Sequence, residues 1–410
     1  MEIFPEPELR ARALALPGVA GLLDRLGDPG SDRIALVGGA VRDLLLGERV
    51  FDVDLAVEGP VEPVLARLGA SARLHGRFGT ASVQIDGAVV DLARTRRERY
   101  ARPGALPDVE PASLEEDLAR RDFTVNAMAV VLRGVGEGEL FGAADARQDL
   151  EARRLRVLHP GSFSDDPTRL LRLARYRARL GFDVEPGTRE LAEDAIAGSA
   201  LGTVSGARVG NELRLLSAED DPVAGWQALG ELGLGAAIEA GFGLSPGDLD
   251  VARRALALLP AEGRSDVILL ALALHGVAAE RRAELMDRLA MPARLRDDVL
   301  AVVLRAPSVA EDLRRADRPS EIAGAAGPKA IPELVALAGA LGAEEPAREF
   351  DRLRQVRLAI DGDDLRAAGV RPGPALGAGL AAARAALLDG RASTREDQLA
   401  EALRVAQDAG

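Results

Sequence analysis

The hydrophobic pattern changes near residue 150, and this change constrains the fold more than any other feature of the sequence. Before residue 150, short apolar runs typical of β-strands alternate with helical segments. After it, apolar residues follow helical spacing almost without a break, and Gly and Pro mark the turns between helices. The pattern predicts an α+β protein with a small mixed α/β head at residues 1–150 and an all-helical remainder. The strand-like runs cover residues 33–37, 51–57, 81–85 and 88–92, and Asp86-Gly87 between the last two predicts a hairpin turn.

Length and composition are those of a globular protein with several compact units. The chain has 410 residues, of which 47% are hydrophobic and 29% charged, so roughly two to four units are expected. Cysteine is absent, which excludes disulfides, thiolate metal sites and cysteine nucleophiles. The first residues lack the basic and apolar segments of a signal peptide, and no apolar stretch reaches the ~18 residues of a membrane span. We therefore expect a cytoplasmic protein with no membrane partner.

A pair of glycines follows the first strand-like run. Gly38 and Gly39 lie between that run and a helical segment, so free backbone N–H groups are expected at a helix N-terminus. Such N–H groups bind phosphate chains, but a Gly-Gly pair is more often only a tight turn. The glycines indicate a phosphate site only in combination with other residues.

Two aspartates lie two positions apart in the next strand-like run. Asp52 and Asp54 project from one face, because side chains i and i+2 of a strand point the same way. Carboxylates this close repel each other unless a cation lies between them, and hard oxygen ligands beside phosphate suit magnesium, Mg²⁺. The alternative is a solvated edge strand, where Asp-x-Asp is ordinary. Asp91, in a later strand-like run, is a candidate for a third carboxylate.

A second polar cluster lies at residues 115–128. Arg120 and Arg121 offer positive charge to a triphosphate. Asp122 and Asn126 are four positions apart and could share a helix face. The alternative is an exposed helix with alternating charges.

A third cluster begins at Asp166 and continues as a stripe of arginines. Pro167 fits the first turn of a helix that a preceding Ser or Asp caps. Asp166 and Arg169 are three apart and therefore neighbours on one face, and Arg172 and Arg175 continue that face. The alternative is an intrahelical ion pair on a solvated helix.

The order of these motifs resembles that of a known family. Gly-Gly-x-Val-Arg-Asp, Asp-x-Asp, Arg-Arg-Asp-Phe-Thr-x-Asn-Ala and Asp-Asp-x-x-Arg-x-x-Arg occur at residues 38–43, 52–54, 120–127 and 165–172. Together they look like the class II tRNA nucleotidyltransferases and bacterial poly(A) polymerases of the polymerase-β superfamily. The resemblance implies a polymerase-β-like head with a mixed sheet at 1–150, a neck with a base-template helix at 151–215, a body at 216–305 and a tRNA-binding tail at 306–410.

The resemblance also implies a role for each matching residue. Two aspartates would be catalytic and would bind Mg²⁺, three residues would hold the triphosphate, and others would contact the ribose or act as an amino-acid template for the base. The catalytic residues and metal ligands are Asp52 and Asp54, and the nucleotide-binding residues are Gly38, Gly39, Arg42, Arg121, Asp122, Asn126, Asp166, Arg169, Arg172 and Arg175.

The function implied is template-independent addition of all or part of the 3′-terminal CCA to tRNA, with CTP and ATP as substrates. An Asp acceptor beside an Arg donor complements the amino group and adjacent ring nitrogen that C and A share, whereas U and G present the opposite pattern. Segments 96–107 and 158–163 look more like the A-adding branch of the family. The alternatives are a poly(A) polymerase of the same family and a non-catalytic RNA-binding protein with a relict head. Binding of tRNA through its phosphates would require a concave positive face, which we predict near Arg172 and Arg175. This positive charge would be local, because the net charge of the whole chain is −13.

Overall fold

The α+β architecture is confirmed. The computed structural model describes residues 2–4, 8–27, 33–68, 73–75, 79–327 and 330–408. The chain divides into two compact units, one of residues 1–212 with 232–237 and the other of residues 213–231 with 238–410. The first unit contains the mixed sheet, and no helix among the described residues is long and apolar enough to cross a membrane. The domain limits near residues 150, 215 and 305 stay predictions.

The sheet of the first unit has eight strands in the order β1-β10-β9-β2-β3-β6-β5-β4. The pairing of β3 with β6 is parallel, and the other pairings in this sheet are antiparallel. The strands are β1 (Glu2–Phe4), β2 (Arg33–Val37), β3 (Asp54–Glu58), β4 (Arg73–His75), β5 (Thr80–Ile85), β6 (Ala88–Arg94), β7 (Arg96–Arg99), β8 (Asp108–Pro111), β9 (Met128–Arg133), β10 (Leu140–Gly142), β11 (Arg154–Leu155) and β12 (Asp183–Val184).

Helices pack beside the sheet and are the main regular structure of the chain after it. In residues 1–217 they are α1 (Leu9–Leu14), α2 (Val19–Leu26), α3 (Gly39–Leu46), α4 (Val61–Leu68), α5 (Leu114–Ala119), α6 (Ala146–Glu151), α7 (Ser162–Asp165), α8 (Thr168–Leu180), α9 (Pro186–Ala197) and α10 (Gly206–Ser217). Later helices are α11 (Pro222–Glu231), α12 (Leu234–Ile238), α13 (Pro246–Leu258), α14 (Ser265–His275), α15 (Ala279–Arg288), α16 (Ala293–Arg315), α17 (Pro319–Ala325), α18 (Pro332–Ala338), α19 (Glu344–Leu353), α20 (Gly362–Ala367), α21 (Pro374–Leu388) and α22 (Arg395–Asp408).

The central strands of the sheet are buried, which fixes the ends of β2 and β3 near the site. Every residue of β9 is buried, as are the last four residues of β2. Leu114 and Leu118 of α5 pack with Phe141 against this part of the sheet. Full burial of side chains of this size stabilises the fold by roughly 1.5–3 kcal/mol each. The site therefore stands on a well-packed part of the unit.

The hairpin turn predicted from the sequence is confirmed. Asp86 and Gly87 connect β5 to β6 with positive φ angles of 51° and 86°, the backbone of a type I′ hairpin turn. Trp226, in the helical second unit, is fully buried. Its indole N–H donates to the Ser217 hydroxyl at 3.0 Å, and its ring meets that of Phe242 edge-on at 5.7 Å.

Candidate active site

The glycine pair forms a turn that only glycine can make at this position. β2 ends at Val37, Gly38 adopts a φ of 73°, and α3 begins at Gly39. A Cβ on Gly38 would lie 2.6 Å from Nη1 of Arg121, the movable end of a long side chain, so glycine is required here by the backbone conformation rather than by this contact. The N-terminus of α3 is thereby placed beside an arginine, an arrangement suited to an anion.

The two aspartates lie at the start of a central strand. β3 begins at Asp54, and Asp52 precedes it, so the strand is shorter than the predicted run at 51–57. β3 is hydrogen-bonded to β2 on one side and to β6 on the other, which rules out the edge-strand alternative. The parallel register aligns Asp54 with Asp91 of β6.

Negative charge at this point of the sheet is uncompensated. Burial raises the pKa of the Asp54 carboxyl, the charges of Asp91 and Asp52 raise it further, and only the Arg121 charge lowers it. Within the described part of the chain, no hydrogen bond or ion pair engages the carboxylates of Asp52 and Asp54, whereas Asp91 accepts a hydrogen bond from the Ser82 hydroxyl at 2.5 Å. Close carboxylates of this kind favour a bound cation.

This charge distribution fits a divalent ion that shares its coordination with a substrate. Among the described residues, no group of three or more His, Cys, Asp or Glu side chains is arranged to hold a metal by itself. Mg²⁺ characteristically takes one or two carboxylates and completes its shell with water and substrate phosphate. Asp52 and Asp54 fit that pattern.

A cavity of about 650 Å³ opens beside Asp54 within the first unit. It joins the start of α3, the β7 region, the turn after α5, and one side of α8 and α10. Its lining is predominantly polar and charged. The lining residues are Gly39, Asp54, Glu98, Tyr100, Arg120, Arg121, Asp122, Asn126, Asp166, Thr168, Arg169, Arg172, Tyr176, Ala207, Arg208, Asn211 and Glu212.

The second motif forms a turn rather than the helix considered from the sequence. α5 ends at Ala119, and residues 124–126 form a single 3₁₀ turn. Asp122 and Asn126 still meet, because the Asn126 amide donates to Asp122 Oδ1 at 3.0 Å. The exposed, charge-alternating helix is therefore wrong, since Asp122 and Asn126 are both buried.

Arg121 lines the cavity beside the N-terminus of α3. Its Nη2 donates to Asp117 Oδ2 at 3.0 Å, which fixes the guanidinium. Its Nε is buried and has no hydrogen-bond partner among the described residues. The positive charge of this fixed guanidinium favours an anion in the cavity.

Asp122 is the buried anchor between this turn and α8. Arg172 Nη2 and Nε donate to its Oδ2 at 2.6 and 2.9 Å. Burial alone would raise the pKa of Asp122, but the Arg172 charge and the hydrogen bonds from Asn126 and Arg172 lower it from 3.8 to about 2. The carboxylate is therefore ionised at neutral pH and holds Arg172 in place.

The third motif presents an acceptor and a donor that do not pair with each other. Asp166 caps α8: its Oδ1 accepts from the Thr168 N–H at 3.0 Å, from the Thr168 hydroxyl at 2.6 Å, and lies 2.7 Å from Nη2 of Arg208. Arg169 is buried and donates to the Ser162 hydroxyl and to the Arg120 carbonyl, both at 2.6 Å. The predicted cap is confirmed, and the alternative of an Asp166–Arg169 ion pair is wrong.

The positive face predicted near Arg172 and Arg175 is not present in the expected form. Arg172 is paired with Asp122, and Arg175 is buried and donates to Glu212 at 3.3 Å. Both carboxylate partners are distant in sequence. The arginine stripe on α8 therefore has its positive charge neutralised by other elements of the folded unit. The two arginines shape the site rather than offer free charge.

The predicted site residues separate into those that line the cavity and those behind it. Gly39, Asp54, Arg121, Asp122, Asn126, Asp166, Arg169 and Arg172 line it. Arg42 is buried behind Gly39, where it donates to Asn126 and Asp43. The others outside the lining are Gly38, Asp52 and Arg175.

Several lining residues were missed in the sequence. Glu98 and Tyr100 come from the β7 region. Burial is the main cause that raises the pKa of Tyr100, and the hydrogen bond that its hydroxyl donates to Glu98 raises the pKa further. Arg208 and Glu212 come from α10 and are four positions apart, a spacing that could have indicated a common polar face. No local pattern marks Tyr100 as a site residue.

A mixed sheet that places Asp54 and the N-terminus of α3 at an arginine-rich cavity, with Asp52 just before Asp54, is typical of a nucleotidyltransferase head. The family model described as "Poly A polymerase head domain" matches residues 34–156. The helical region after it also has counterparts in known proteins, as whole-chain similarities show.

An A-adding tRNA nucleotidyltransferase of Geobacter sulfurreducens is 35% identical over 431 aligned positions, which cover 98% of this chain and 48% of that protein. A multifunctional CCA protein of Xanthomonas campestris pv. campestris is 33% identical over 435 positions, covering 89% of this chain and 100% of the relative. The solved Thermotoga maritima CCA-adding enzyme complexed with tRNA superimposes with a TM-score of 0.78 at 26% identity, covering 98% of this chain and 99% of that one. The chain belongs to the tRNA nucleotidyltransferase and poly(A) polymerase family. It spans about half or less of the length of the first curated relatives it matches.

Proposed function

We propose that the protein is a template-independent tRNA nucleotidyltransferase that adds all or part of the 3′-terminal CCA from CTP and ATP. The observation that carries this proposal is a single cavity lined by Asp54 and also by Asp166 and Arg169. Such a cavity can hold a nucleotide with its phosphates near the carboxylates and its base near the helix that begins after Asp166.

At the phosphate end, backbone and side-chain donors bind the triphosphate. The N-terminus of α3 at Gly39 and the guanidinium of Arg121 both line the cavity and offer positive charge to an anion. Asp52 and Asp54 would hold Mg²⁺, which supplies Lewis-acid stabilisation of phosphate charge and activation of the attacking hydroxyl. Arg42 and Gly38 support this end from behind the lining, because Arg42 fixes the Asn126 side chain.

At the base end, the direction of hydrogen bonds selects the nucleotide. Asp166 accepts from the exocyclic amino group of C or A, and Arg169 donates to the adjacent ring nitrogen. The bonds from Arg169 to Ser162 and to the Arg120 carbonyl hold its guanidinium still, so the donor direction is preset. A base with the opposite pattern leaves polar groups unpaired at a cost of about 1–3 kcal/mol each. Asp122 and Arg172, paired with each other, also line the cavity and would contact the nucleotide.

The substrate RNA is inferred from the relatives and from the length of the helical region. The relatives carry names for A addition and for CCA addition, and the T. maritima structure holds tRNA. The neck, body and tail at residues 151–215, 216–305 and 306–410 would hold the acceptor arm of a tRNA outside the cavity. A cytoplasmic location is part of the same proposal, since tRNA end synthesis and a cysteine-free chain both suit it.

One experiment distinguishes this function from its rival within the family. The protein is incubated with tRNA transcripts ending before CCA, after C, and after CC, with CTP and ATP supplied singly and together, and the products are sequenced. Addition that stops within the CCA sequence or at its end supports tRNA end synthesis, whether of CC, A or CCA. Long A tails would instead identify a poly(A) polymerase, and absence of any incorporation would favour a non-catalytic RNA-binding protein.

A further inference from the structure

Phe51 is an exposed aromatic side chain in the first unit. It is 65% exposed, whereas Trp226 and the Phe side chains at positions 123, 141, 163, 182, 242 and 350 are buried, and the two Tyr side chains are half-buried. An isolated apolar side chain on a protein surface is ordinary, so the location of this ring matters more than its exposure. Phe51 lies in the loop between α3 and β3 and directly precedes Asp52.

The Phe51 ring has a cationic neighbour. The guanidinium carbon of Arg49 lies 5.1 Å from the ring centroid, and Arg49 is itself exposed. In the described part of the chain, no carboxylate is paired with this guanidinium. An exposed ring beside an unpaired guanidinium is the combination on which nucleic acid bases stack and to which phosphates bind.

The location of this Phe51–Arg49 pair relative to the cavity indicates its ligand. Asp54 lines the cavity that we assign to the incoming nucleotide, whereas Asp52, Phe51 and Arg49 lie outside the lining. In phosphoryl and nucleotidyl transfer the attacking and leaving oxygens lie roughly in line, on opposite sides of the phosphorus. An RNA end that approaches the carboxylates from outside this cavity would meet the loop that holds the Phe51–Arg49 pair, because Phe51 directly precedes Asp52.

We propose that the Phe51–Arg49 pair is a stacking platform for the 3′-terminal base of the acceptor RNA, an inference that rests on the function proposed above. The base stacks on the Phe51 ring, and Arg49 contacts the adjacent phosphate. Stacking on an aromatic ring tolerates every base. That tolerance suits an RNA whose last base changes with each nucleotide added.

A binding measurement tests the platform without turnover. The probe is an acceptor-stem RNA that ends in a 3′-deoxynucleotide and carries 2-aminopurine as its last base, whose fluorescence falls on stacking. We expect wild-type protein to quench the probe, and Phe51→Ala to lose the quench and bind about 5- to 150-fold more weakly, the range for one lost stacking contact. Phe51→Trp should retain binding. The matched control is Val135→Ala, which truncates a side chain 84% exposed elsewhere in the first unit and should change neither quantity.

Steady-state kinetics separate this platform from the carboxylates beside it. Phe51→Ala should raise the KM for RNA while leaving the KM for ATP and CTP and the Mg²⁺ dependence unchanged. A shifted Mg²⁺ dependence would show that Phe51 acts through Asp52, and unchanged RNA binding and quench would show that no base stacks there; either result overturns the platform. Failure of the wild-type protein to incorporate any nucleotide would instead contradict the proposed function.

Discussion

The carboxylates of the first unit occur in two contrasting settings. Those at the start of β3, Asp52 and Asp54, lack hydrogen bonds and ion pairs with the described residues, and burial together with Asp91 raises the pKa of Asp54. We call this the carboxylate wall. In the second setting, which we call the paired wall, each carboxylate forms an ion pair with an arginine. These pairs are Asp122–Arg172 at 2.6 Å, Asp166–Arg208 at 2.7 Å and Glu212–Arg175 at 3.3 Å.

The contrast indicates what each wall can recognise. Unpaired carboxylates that lie close together carry a cost in folding free energy that a bound cation removes, so the carboxylate wall binds by charge. Matched pairs carry little net charge, so the paired wall distinguishes ligands by the direction of hydrogen bonds. Asp→Asn substitutions, which remove charge but preserve shape, should therefore have opposite consequences at the two walls.

The largest effect is expected from Asp54→Asn at the carboxylate wall. Loss of a metal-binding carboxylate should lower kcat/KM for nucleotide incorporation by about 1000-fold or more, because metal stabilisation of phosphate charge contributes several kcal/mol. The same variant should unfold at a higher temperature than wild type in EDTA at pH 7. Single-turnover incorporation and thermal denaturation measure the two quantities.

The sign of the stability change follows from the raised pKa of Asp54. A carboxyl whose folded-state pKa is raised favours folding when protonated, and that contribution is lost as the pH rises through the folded-state pKa. Wild type therefore carries the cost at neutral pH, and Asn does not. Asp54→Asn that is inactive but less stable than wild type in EDTA would contradict the description of this wall as uncompensated.

The opposite effect is expected from Asp122→Asn at the paired wall. Removing this buried carboxylate leaves Arg172 without its main partner, which should lower the free energy of unfolding by about 2–4 kcal/mol; the lower values apply because Arg172 also lies near Glu212. Denaturant titration at pH 7 measures the change. Stability equal to that of wild type would show that the pair contributes nothing net.

Acid titration sharpens the same comparison. The pKa of Asp122 is lowered to about 2, so its contribution to stability is complete above the unfolded-state value near 3.8 and is lost as the pH falls between these values. Wild type should lose stability steeply in this window, and Asp122→Asn should lose less. A pH profile that is identical in the two proteins would argue against the lowered pKa.

The sequence predicted the carboxylate wall more fully than the paired wall, because the former depends on local spacing. Gly38, Gly39, Asp52 and Asp54 lie within one strand–helix–strand segment, where period and turn chemistry are readable. The mixed sheet followed by helices was likewise predictable from the change of hydrophobic period. The order of strands in the sheet was not, since pairings such as β1 with β10 join segments far apart in the chain.

The paired wall depends on contacts that no local pattern encodes. Arg172 reads as part of an open basic stripe, yet its partner Asp122 lies 50 positions away, and the partner of Arg175 lies 37 positions away. The pairing of Asp166 with Arg208 was missed for the same reason. A helix face predicts which side chains are neighbours on that helix, but not which charges another element brings to it.

A smaller effect, on selectivity rather than rate, is expected from Asp166→Asn. An amide can turn its NH₂ group toward the base and donate to the carbonyl oxygen of U or G, so the acceptor requirement that favours C and A is lost. The ratio of kcat/KM for CTP to that for UTP should fall by about 5- to 150-fold, corresponding to one mismatched polar group. Competition assays with mixed nucleotides measure this ratio. Activity that falls equally with every nucleotide would remove Asp166 from base selection.

The smallest effect is expected from Arg208→Gln, which removes one of several contacts that orient Asp166. Thr168 still donates to Asp166 Oδ1 through its N–H and its hydroxyl, so the carboxylate keeps its place but gains freedom to rotate. Selectivity for CTP over UTP should therefore fall by only about 2- to 10-fold, since roughly 1 kcal/mol is a typical net contribution of one hydrogen bond. Arg208→Lys, which preserves the charge, should restore part of the loss. If Gln and Lys variants reduce incorporation of every nucleotide alike, Arg208 supports the packing of α10 and the paired wall selects the base through Asp166 and Arg169 alone.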